Sequence, residues 1–401
     1  MNSLQTVVVV GAGVAGVRAI QSMRSSGFNG HLTLVGGEAG LPYDRPPLSK
    51  DFLLDESVAA DITLLSSEDL DTLGVEYLSG VRVERLDPAE RVLHADGGLR
   101  LPFDGAVLCP GASPRRLSCP GTELAGVRYL RTLDDAVAIR SLLSAGRRMI
   151  VVGGGFIGVE AAVLAAGLGL DVTVVDIQEM PFQVLLGRQA ADLLLRHLRK
   201  AGVKFVGGRV VASFEGLDKL TTVTLNDGSR IDADLALVGI GAAPDVAWLA
   251  GTAVLSSDGI EADEFCRTAI DGVYAAGDAC RWLNLAYGSP MRVEHWTNAI
   301  DQATAAAANL TCELAGEAHS RTPYRAVPYF WSSQGAMLVQ FVGVRPAGCE
   351  GEMERSLQDE NRWAITYRDQ RGSLVGALAV NWPARAVRAR KDIRSRVLTA
   401  D

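Results

Sequence analysis

The sequence predicts an α/β protein with two Rossmann-like dinucleotide-binding domains and a further α+β domain at its C-terminal end. Two segments support this most strongly. Gly11-Ala12-Gly13-Val14-Ala15-Gly16 and Gly153-Gly154-Gly155-Phe156-Ile157-Gly158 both fit G-x-G-x-x-G, and each follows a short run of β-branched residues. After about residue 325 the pattern changes to short segments typical of antiparallel strands. Two such loops in one chain suggest a protein that holds two dinucleotides side by side and passes electrons between them.

The first glycine loop lies within a strand–helix–strand pattern. Thr6–Val10 predicts a buried strand, Val14–Ser25 a helix that ends near Gly27, and His31–Val35 a second strand. In such a loop the first glycine makes the turn, the second lets the backbone approach a pyrophosphate, and the third lets the helix pack against the sheet. Glu38, after the second strand, is the acid expected to bind the ribose hydroxyls.

The second glycine loop repeats this plan. Met149–Val152 and Asp171–Val175 predict strands, and Ile157–Leu168 predicts the helix between them, which should stop at Gly169. Asp176 is the corresponding ribose-binding acid. Its charge would repel the 2′-phosphate of NADP, and residues 177–187 contain no Lys or Arg to hold that phosphate. The sequence therefore predicts a preference for NADH.

A third signature lies downstream, where a predicted strand at Val273–Ala276 ends in Gly277-Asp278. An acid at the mouth of a sheet can bond the ribityl hydroxyls of a flavin. Two hairpins are also predicted, at Arg91–Pro102 and at Thr222–Ile231.

Three antiparallel strands and a basic tail are predicted in the last part of the chain. The turn Gln370-Arg371-Gly372 should join the last two strands, and the Arg-rich tail from Arg385 to Arg396 should form a solvated helix face. The three predicted strands are Ala336–Val342, Trp363–Tyr367 and Leu374–Val380.

Composition excludes several classes of protein. The formal net charge of −8 argues against a nucleic-acid partner, and 48% hydrophobic residues provide for large cores. The N-terminal apolar run has no basic flank, and Ala161–Leu170 is too short to span a membrane, so we expect a cytoplasmic protein with no membrane association. The six cysteines form no C-x-x-C pair, so we expect reduced thiols and no metal site.

Four further strings carry a family resemblance. They are Tyr43-Asp44-Arg45-Pro46-Pro47-Leu48-Ser49-Lys50, Arg128-Tyr129-Leu130-Arg131-Thr132-Leu133, Val293-Glu294-His295-Trp296-Thr297-Asn298 and Tyr329-Phe330-Trp331-Ser332-Ser333-Gln334. With the glycine loops, the chain resembles the NADH:ferredoxin reductases of oxygenase systems, the family of putidaredoxin reductase and of the biphenyl dioxygenase reductase component. The resemblance implies an FAD flavoprotein that passes electrons from NADH to a [2Fe-2S] ferredoxin, which serves a cytochrome P450 or a Rieske-type oxygenase.

The resemblance also implies the domain organisation, a glutathione reductase-like fold in which the FAD domain is split. Residues 1–115 and 245–324 would form the FAD domain, 116–244 the NAD domain, and 325–401 the C-terminal α+β domain.

The implied site residues fall into two sets. The FAD set is Gly11, Gly13, Val14, Ala15, Gly16, Gly37, Glu38, Arg45, Lys50, Val83, Arg131, Gly277, Asp278, Glu294 and Trp296. The NAD set is Gly153, Gly155, Phe156, Ile157, Gly158, Glu160, Asp176 and Gly241.

Lys50 and Glu160 are the implied catalytic pair. Lys50 would lie beside the reactive flavin edge, where an ammonium stabilises the negative charge that hydride arrival leaves on the flavin. Glu160 would orient that ammonium and offset its desolvation. Trp331 would lie between the flavin and the ferredoxin.

The chain departs from the family pattern at several positions. Cys109-Pro110-Gly111 replaces Ala-Thr-Gly, and Ser333 replaces an acid. Gly37 stands where some members have the ribose-binding acid, and Thr304 stands where putidaredoxin reductase has an arginine.

Other flavoproteins with the same two domains are alternatives. Disulfide reductases and NADH peroxidases need cysteines beside the flavin, and the first 108 residues contain none. Proteins of the apoptosis-inducing-factor type share the Lys–Glu pair but act mainly through binding. They normally carry a targeting segment and a long C-terminal insertion.

Overall fold

The computed structural model describes residues 5–55 and 62–399, and its α/β fold contains two parallel sheets of the same design. In the first sheet, the edge-to-edge order is β20 (Val273–Ala275), β7 (Gly105–Leu108), β1 (Thr6–Val10), β2 (His31–Gly36) and β3 (Val75–Ser79). All neighbouring strands are parallel. Strand β20 arrives from far downstream and pairs with β7, so distant parts of the chain complete one sheet.

Helices and a small antiparallel sheet accompany the first parallel sheet. Strand β1 is almost wholly buried, as expected for a Val-rich strand at the centre of a parallel sheet. Helix α1 begins and ends at the predicted residues and packs against α8. The helices are α1 (Val14–Ser25), α2 (Asp51–Leu54), α3 (Ser67–Leu73) and α8 (Trp296–Leu314), and the antiparallel strands are β4 (Val83–Asp87), β5 (Val92–Ala95) and β6 (Leu99–Pro102).

The second parallel sheet repeats this arrangement. Its order is β12 (Lys204–Gly207), β11 (Asp171–Asp176), β10 (Arg148–Val152), β16 (Leu235–Val238) and β9 (Val127–Tyr129). Its helices are α4 (Leu133–Arg140), α5 (Phe156–Gly167), α6 (Gln183–Leu186) and α7 (Arg188–Lys200). Its antiparallel strands are β13 (Val211–Glu215), β14 (Thr222–Leu225) and β15 (Arg230–Asp232). Both predicted βαβ units and both predicted hairpins are therefore present, with bounds shifted by one or two residues.

Short strands connect the two parallel-sheet units. In the two-stranded connection, β8 (Ala112–Pro114) pairs antiparallel with β17 (Ala242–Pro244). A four-stranded sheet follows, with β18 (Leu255–Ser256), β19 (Gly259–Ala262), β21 (Cys280–Asn284) and β22 (Ser289–Arg292). Single 3-10 turns occur at Pro46–Ser49, Asp96–Gly98, Ala247–Leu249 and Ala318–Ser320.

The C-terminal antiparallel sheet has five strands, so the prediction of three was incomplete. Its order is β23 (Tyr329–Gln334), β24 (Met337–Gly343), β27 (Leu374–Val380), β26 (Trp363–Arg368) and β25 (Glu352–Arg355). Strand β25 is a polar edge strand and lacks the apolar alternation that marks the others. The tail forms α9 (Pro383–Thr399), whose buried face places Ala386, Ile393 and Val397 against the sheet. The predicted solvated face is the opposite one.

Within residues 5–55 and 62–399, no helix combines the length and the apolar character needed to cross a bilayer.

Candidate active site

The first glycine loop has the local geometry that a bound dinucleotide requires. Gly11 has φ +102°, and a Cβ there would lie 2.0 Å from the carbonyl oxygen of Cys109. A Cβ on Gly16 would lie 1.8 Å from the carbonyl oxygen of Gly11, whereas a Cβ on Gly13 would meet nothing within 4 Å. The first and third glycines are thus required by the fold, and the second leaves open space at the start of α1 for a pyrophosphate.

The second glycine loop repeats these contacts. Gly153 has φ +109°, and its Cβ would lie 2.3 Å from the carbonyl oxygen of Gly239. A Cβ on Gly158 would lie 2.2 Å from the carbonyl oxygen of Gly153, and one on Gly155 would meet open space. The backbone at the start of α5 therefore fits a second dinucleotide.

Two clefts meet at the first glycine loop. They share six residues, which are Gly13, Tyr43, Arg45, Cys109, Gly111 and Arg131. The first cleft is also lined by Gly11, Gly37, Glu38, Val83 and Trp248. The second cleft is also lined by Val14, Ala15, Lys50, Gly155, Phe156, Ile157, Glu160, Gly241, Gly277, Asp278, Glu294, His295, Trp296, Phe330 and Trp331.

Glu38 anchors a polar network in the first cleft. Its carboxylate accepts hydrogen bonds from the Tyr43 hydroxyl at 2.5 Å and from the Arg45 guanidinium at 2.6 Å. Burial alone would raise the pKa of Glu38, but the Arg45 charge and these two hydrogen bonds hold it below its usual range. Arg45 also donates to the carbonyl of Arg131 at 2.7 Å. Glu38 and Arg45, assigned separately from the sequence, thus form one ion pair.

Asp278 lies at the other end of the same network. Its carboxylate is 3.8 Å from the Arg131 guanidinium. Burial raises the pKa of Asp278, and the Arg131 charge opposes part of that rise. The preceding Gly277 has φ +81° and donates its amide to the buried Gln302 at 2.9 Å. Gln302 thereby fixes the turn that presents Asp278 to the second cleft.

Lys50 and Glu160 form an ion pair in the second cleft, with 2.7 Å between Nζ and Oε2. The same carboxylate accepts hydrogen bonds from the hydroxyls of Ser49 and Ser332, both at 2.8 Å, and from the amide of Ser333 at 3.2 Å. Glu160 is only 5% exposed, so these four donors replace the water that the carboxylate has lost. The pair is held by three separate segments of the chain.

Trp296 begins α8, and two contacts hold its indole in place. Its Nε1 donates to the Asp44 carboxylate at 2.7 Å, and burial raises the pKa of that carboxyl. The Trp331 ring lies edge-on to Trp296, with 5.7 Å between centroids, and stacks on Tyr329 at 6.2 Å. A row of three aromatic rings thus leads away from the second cleft.

Asp176 lies at the end of β11 but does not line either cleft. It is buried, and its carboxylate accepts the backbone amides of Gly154 and Gln178. The carboxylate therefore also shapes the glycine loop, which the sequence did not indicate. Its contact with a ribose stays a prediction.

Several contacts in the clefts were missed from the sequence. Ser49, Ser332, Gln302, Tyr43 and Asp44 all hold a predicted site residue in place. Four of them occur in strings that carried the resemblance, but a single sequence does not show which distant carboxylate or amide each one meets.

The described cysteines are all free thiols. Cys109 lies beside both clefts and is buried, and burial raises its pKa to about 12. At the surface, Asp87, Glu90 and His94 lie close together, but Arg85 pairs with both Asp87 and His94. The two carboxylates of that group are therefore already ion-paired, Asp87 with Arg85 and Glu90 with Arg100.

The fold and the clefts define an oxidoreductase that uses a flavin and NAD(H). The chain belongs to the pyridine nucleotide-disulphide oxidoreductase family, whose model matches residues 5–303, and the reductase C-terminal model matches residues 329–400.

Comparisons with individual proteins extend over nearly the whole chain. It is 35% identical to the ferredoxin reductase component of a chlorobenzene dioxygenase from Cupriavidus sp. (strain PS12), covering 96% of this chain and 93% of that one. It is 34% identical to a rubredoxin-NAD(+) reductase of Pseudomonas putida, covering 94% and 96%. The crystal structure of the ferredoxin reductase for the CYP199A2 system from Rhodopseudomonas palustris superposes with a TM-score of 0.90 at 31% identity, covering 96% and 94%.

Proposed function

We propose that this protein is an NADH-dependent, FAD-containing ferredoxin reductase whose [2Fe-2S] ferredoxin serves a cytochrome P450 or a Rieske-type oxygenase. The observation that supports this most directly is the Lys50–Glu160 ion pair, which lies in one cleft with residues of both open glycine loops. Relatives that serve a dioxygenase and the CYP199A2 system support the choice of partner.

FAD is assigned to the first glycine loop and NADH to the second. The first cleft, with Glu38, Arg45 and Val83, would hold the adenosine end of FAD, and Asp278 and Glu294 would lie at its ribityl–flavin end. Gly155 would lie at the pyrophosphate of NADH, and Phe156 and Gly241 at its nicotinamide end. The domain boundaries at residues 115, 244 and 324 follow from the same assignment.

A bound FAD would supply the chemistry that links two-electron hydride transfer from NADH to one-electron transfer to an acceptor. The protein contributes charge and position. Lys50 holds a positive charge in the second cleft, and it donates to Glu160 and to the carbonyl of Pro46 at 3.1 Å. Because both partners are fixed, the ammonium needs little reorganisation as negative charge develops nearby.

The ferredoxin would dock where α9 meets the row of aromatic rings. Arg390 lies 5.2 Å above the Tyr329 ring and 3.9 Å from Asp301. Burial raises the pKa of Asp301, and the charges of Arg390, Arg394 and Arg18 oppose that rise. These three arginines form what we term the docking patch.

The other basic residues of the Arg-rich tail lie in different surroundings. Arg385 pairs with Glu354 on β25, at the opposite edge of the C-terminal sheet from Tyr329, and Arg396 pairs with Asp369. Arg388 pairs with Asp392 within α9. Lys391 is exposed. A local basic patch on a protein of net charge −8 is sufficient to steer an acidic partner.

The decisive experiment measures cytochrome c reduction by NADH with and without a [2Fe-2S] ferredoxin, after the bound flavin has been identified by its mass. We expect FAD and a strong stimulation by the ferredoxin. Absence of stimulation would support a flavoprotein of the apoptosis-inducing-factor type instead. Stimulation by rubredoxin but not by ferredoxin would identify a rubredoxin as the electron acceptor. The relative from Pseudomonas putida is named as a reductase of that acceptor.

A further inference from the structure

His295 lines the second cleft and has no role in the function proposed above. It is the residue before α8, yet its side chain makes no capping hydrogen bond to that helix. Its Nδ1 is inaccessible to solvent and has no hydrogen-bond partner among the described residues. A buried polar nitrogen without a hydrogen-bond partner is uncommon in folded proteins and requires an explanation.

The surroundings of the ring place it on the pyridine-nucleotide side of the cleft. The imidazole packs edge-on against Phe330, with 5.1 Å between centroids, and Phe330 packs against Phe156 at 4.4 Å. Phe156 is the first residue of α5, directly after the open Gly155. Phe330 and Ser332 project from the same face of β23, and Ser332 contacts Glu160 on α5.

The protonation state of the ring follows from its burial. Burial lowers the pKa of His295 to about 4, so the imidazole is neutral at physiological pH and carries one N–H. A proton on the sealed Nδ1 would be a buried donor with no acceptor, which is rarer and costlier than a buried lone pair. The N–H therefore lies on Nε2, because of the two ring nitrogens only Nδ1 is both sealed from solvent and without a partner.

From this geometry we infer that His295 binds the carboxamide group of NADH by donating a hydrogen bond from Nε2–H to the carboxamide oxygen. This inference rests on the proposed binding of NADH at the second glycine loop. Specificity for the nicotinamide end of the cofactor would then come from α8, whereas specificity for its adenosine end would come from β11. Because the donor is uncharged, it can orient the carboxamide without perturbing the charge of the Lys50–Glu160 pair.

The test compares NADH with thio-NADH, in which sulfur replaces the carboxamide oxygen and accepts hydrogen bonds poorly. The dissociation constant of each nucleotide is obtained from the concentration dependence of flavin reduction in stopped flow. His295→Leu should weaken NADH binding by about three- to tenfold, the range of one neutral hydrogen bond. His295→Gln, which keeps an N–H donor at similar reach, should restore most of the loss.

The difference between the two nucleotides distinguishes binding from a structural effect. The wild type should prefer NADH to thio-NADH, and His295→Leu should lose that preference. His319→Leu, at an exposed histidine, should match the wild type.

Three results would overturn the inference. They are an equal preference in the wild type and His295→Leu, a loss of flavin rather than of NADH affinity, and a wild type that does not discriminate between the nucleotides. The last can be measured even if the variant does not fold. Failure of NADH to reduce the wild-type flavin would instead overturn the proposed function.

Discussion

The Lys50 ammonium lies 2.7 Å from the Glu160 carboxylate, although Lys50 lies between β2 and β3 of the first parallel sheet and Glu160 belongs to α5, beside the second. The C-terminal sheet completes the pair, because Ser332 on β23 donates to the other oxygen of the same carboxylate. The ion pair and its hydrogen bonds therefore form only when all three parts of the protein are packed together.

Replacing Lys50 should slow flavin reduction while leaving flavin binding largely intact. We expect Lys50→Ala to lower the reduction rate by about a hundredfold, since it removes the charge that stabilises the transition state. Stopped-flow absorbance measures the rate, and the flavin-to-protein ratio measures retention. Lys200→Ala, at an exposed lysine, is the control. An unchanged reduction rate would refute the role of Lys50.

The hydroxyl of Ser332 should contribute to stability. Ser332→Ala leaves a buried carboxylate short of one donor, which costs about 1–3 kcal/mol in the free energy of unfolding. Urea unfolding followed by fluorescence measures this. Ser333→Ala is a matched control because Ser333 meets Glu160 through its backbone amide, which alanine retains. Equal stability of the two variants would contradict the prediction.

The preference for NADH over NADPH tests the predicted role of Asp176 in excluding the 2′-phosphate. We expect kcat/KM to favour NADH over NADPH by more than about tenfold, because a carboxylate at the end of β11 repels a 2′-phosphate. Asp176→Asn should narrow that ratio. Steady-state rates with both nucleotides provide the measurement, and a wild type that favours NADPH would show the prediction to be wrong.

The docking patch predicts a salt-dependent interaction with ferredoxin. Arg390→Ala combined with Arg394→Ala should raise the KM for ferredoxin roughly three- to tenfold at low ionic strength, with little effect on reduction of the flavin by NADH. Arg385→Ala is the control for the two single variants, Arg390→Ala and Arg394→Ala, since it removes one positive charge from the same helix at the opposite edge of the sheet. An interaction that is insensitive to salt would count against the patch.

The thiols should remain unreactive during turnover. Cys109, Cys266 and Cys280 are buried, and burial raises the pKa of each thiol. Native protein should therefore expose at most the partly buried Cys119, Cys312 and Cys349 to a thiol reagent. The number of reactive thiols should not change after reduction by NADH. An increase of two would reveal disulfide chemistry.

The sequence predicted those features that depend on local pattern. The Val-rich strands before Gly11 and Gly153, and the helices after them, occur at or within two residues of the expected bounds, because glycine turns and short continuous apolar runs are local signals. The family resemblance implied that Lys50 pairs with Glu160, and the two side chains form an ion pair in the structure.

The contacts made by Ser332 and Gln302 could not be predicted in this way. Each side chain meets its partner through tertiary packing, and a serine or glutamine in a strand or helix has no local feature that names that partner. The polar strand β25 was missed for a related reason, since its four residues take their strand conformation from pairing with β26.

The pairing of β8 with β17 places the entry and exit of the second parallel-sheet unit side by side, because Ala112 is opposite Pro244 in the antiparallel register. That unit is therefore attached to the remainder of the chain as a cassette on a two-stranded stem. In principle, the second parallel-sheet unit can be replaced in evolution without changing the strand order of the first sheet, which β20 completes. On the proposed assignment of NADH to this unit, the electron donor can then change while the other cofactor and the acceptor stay the same.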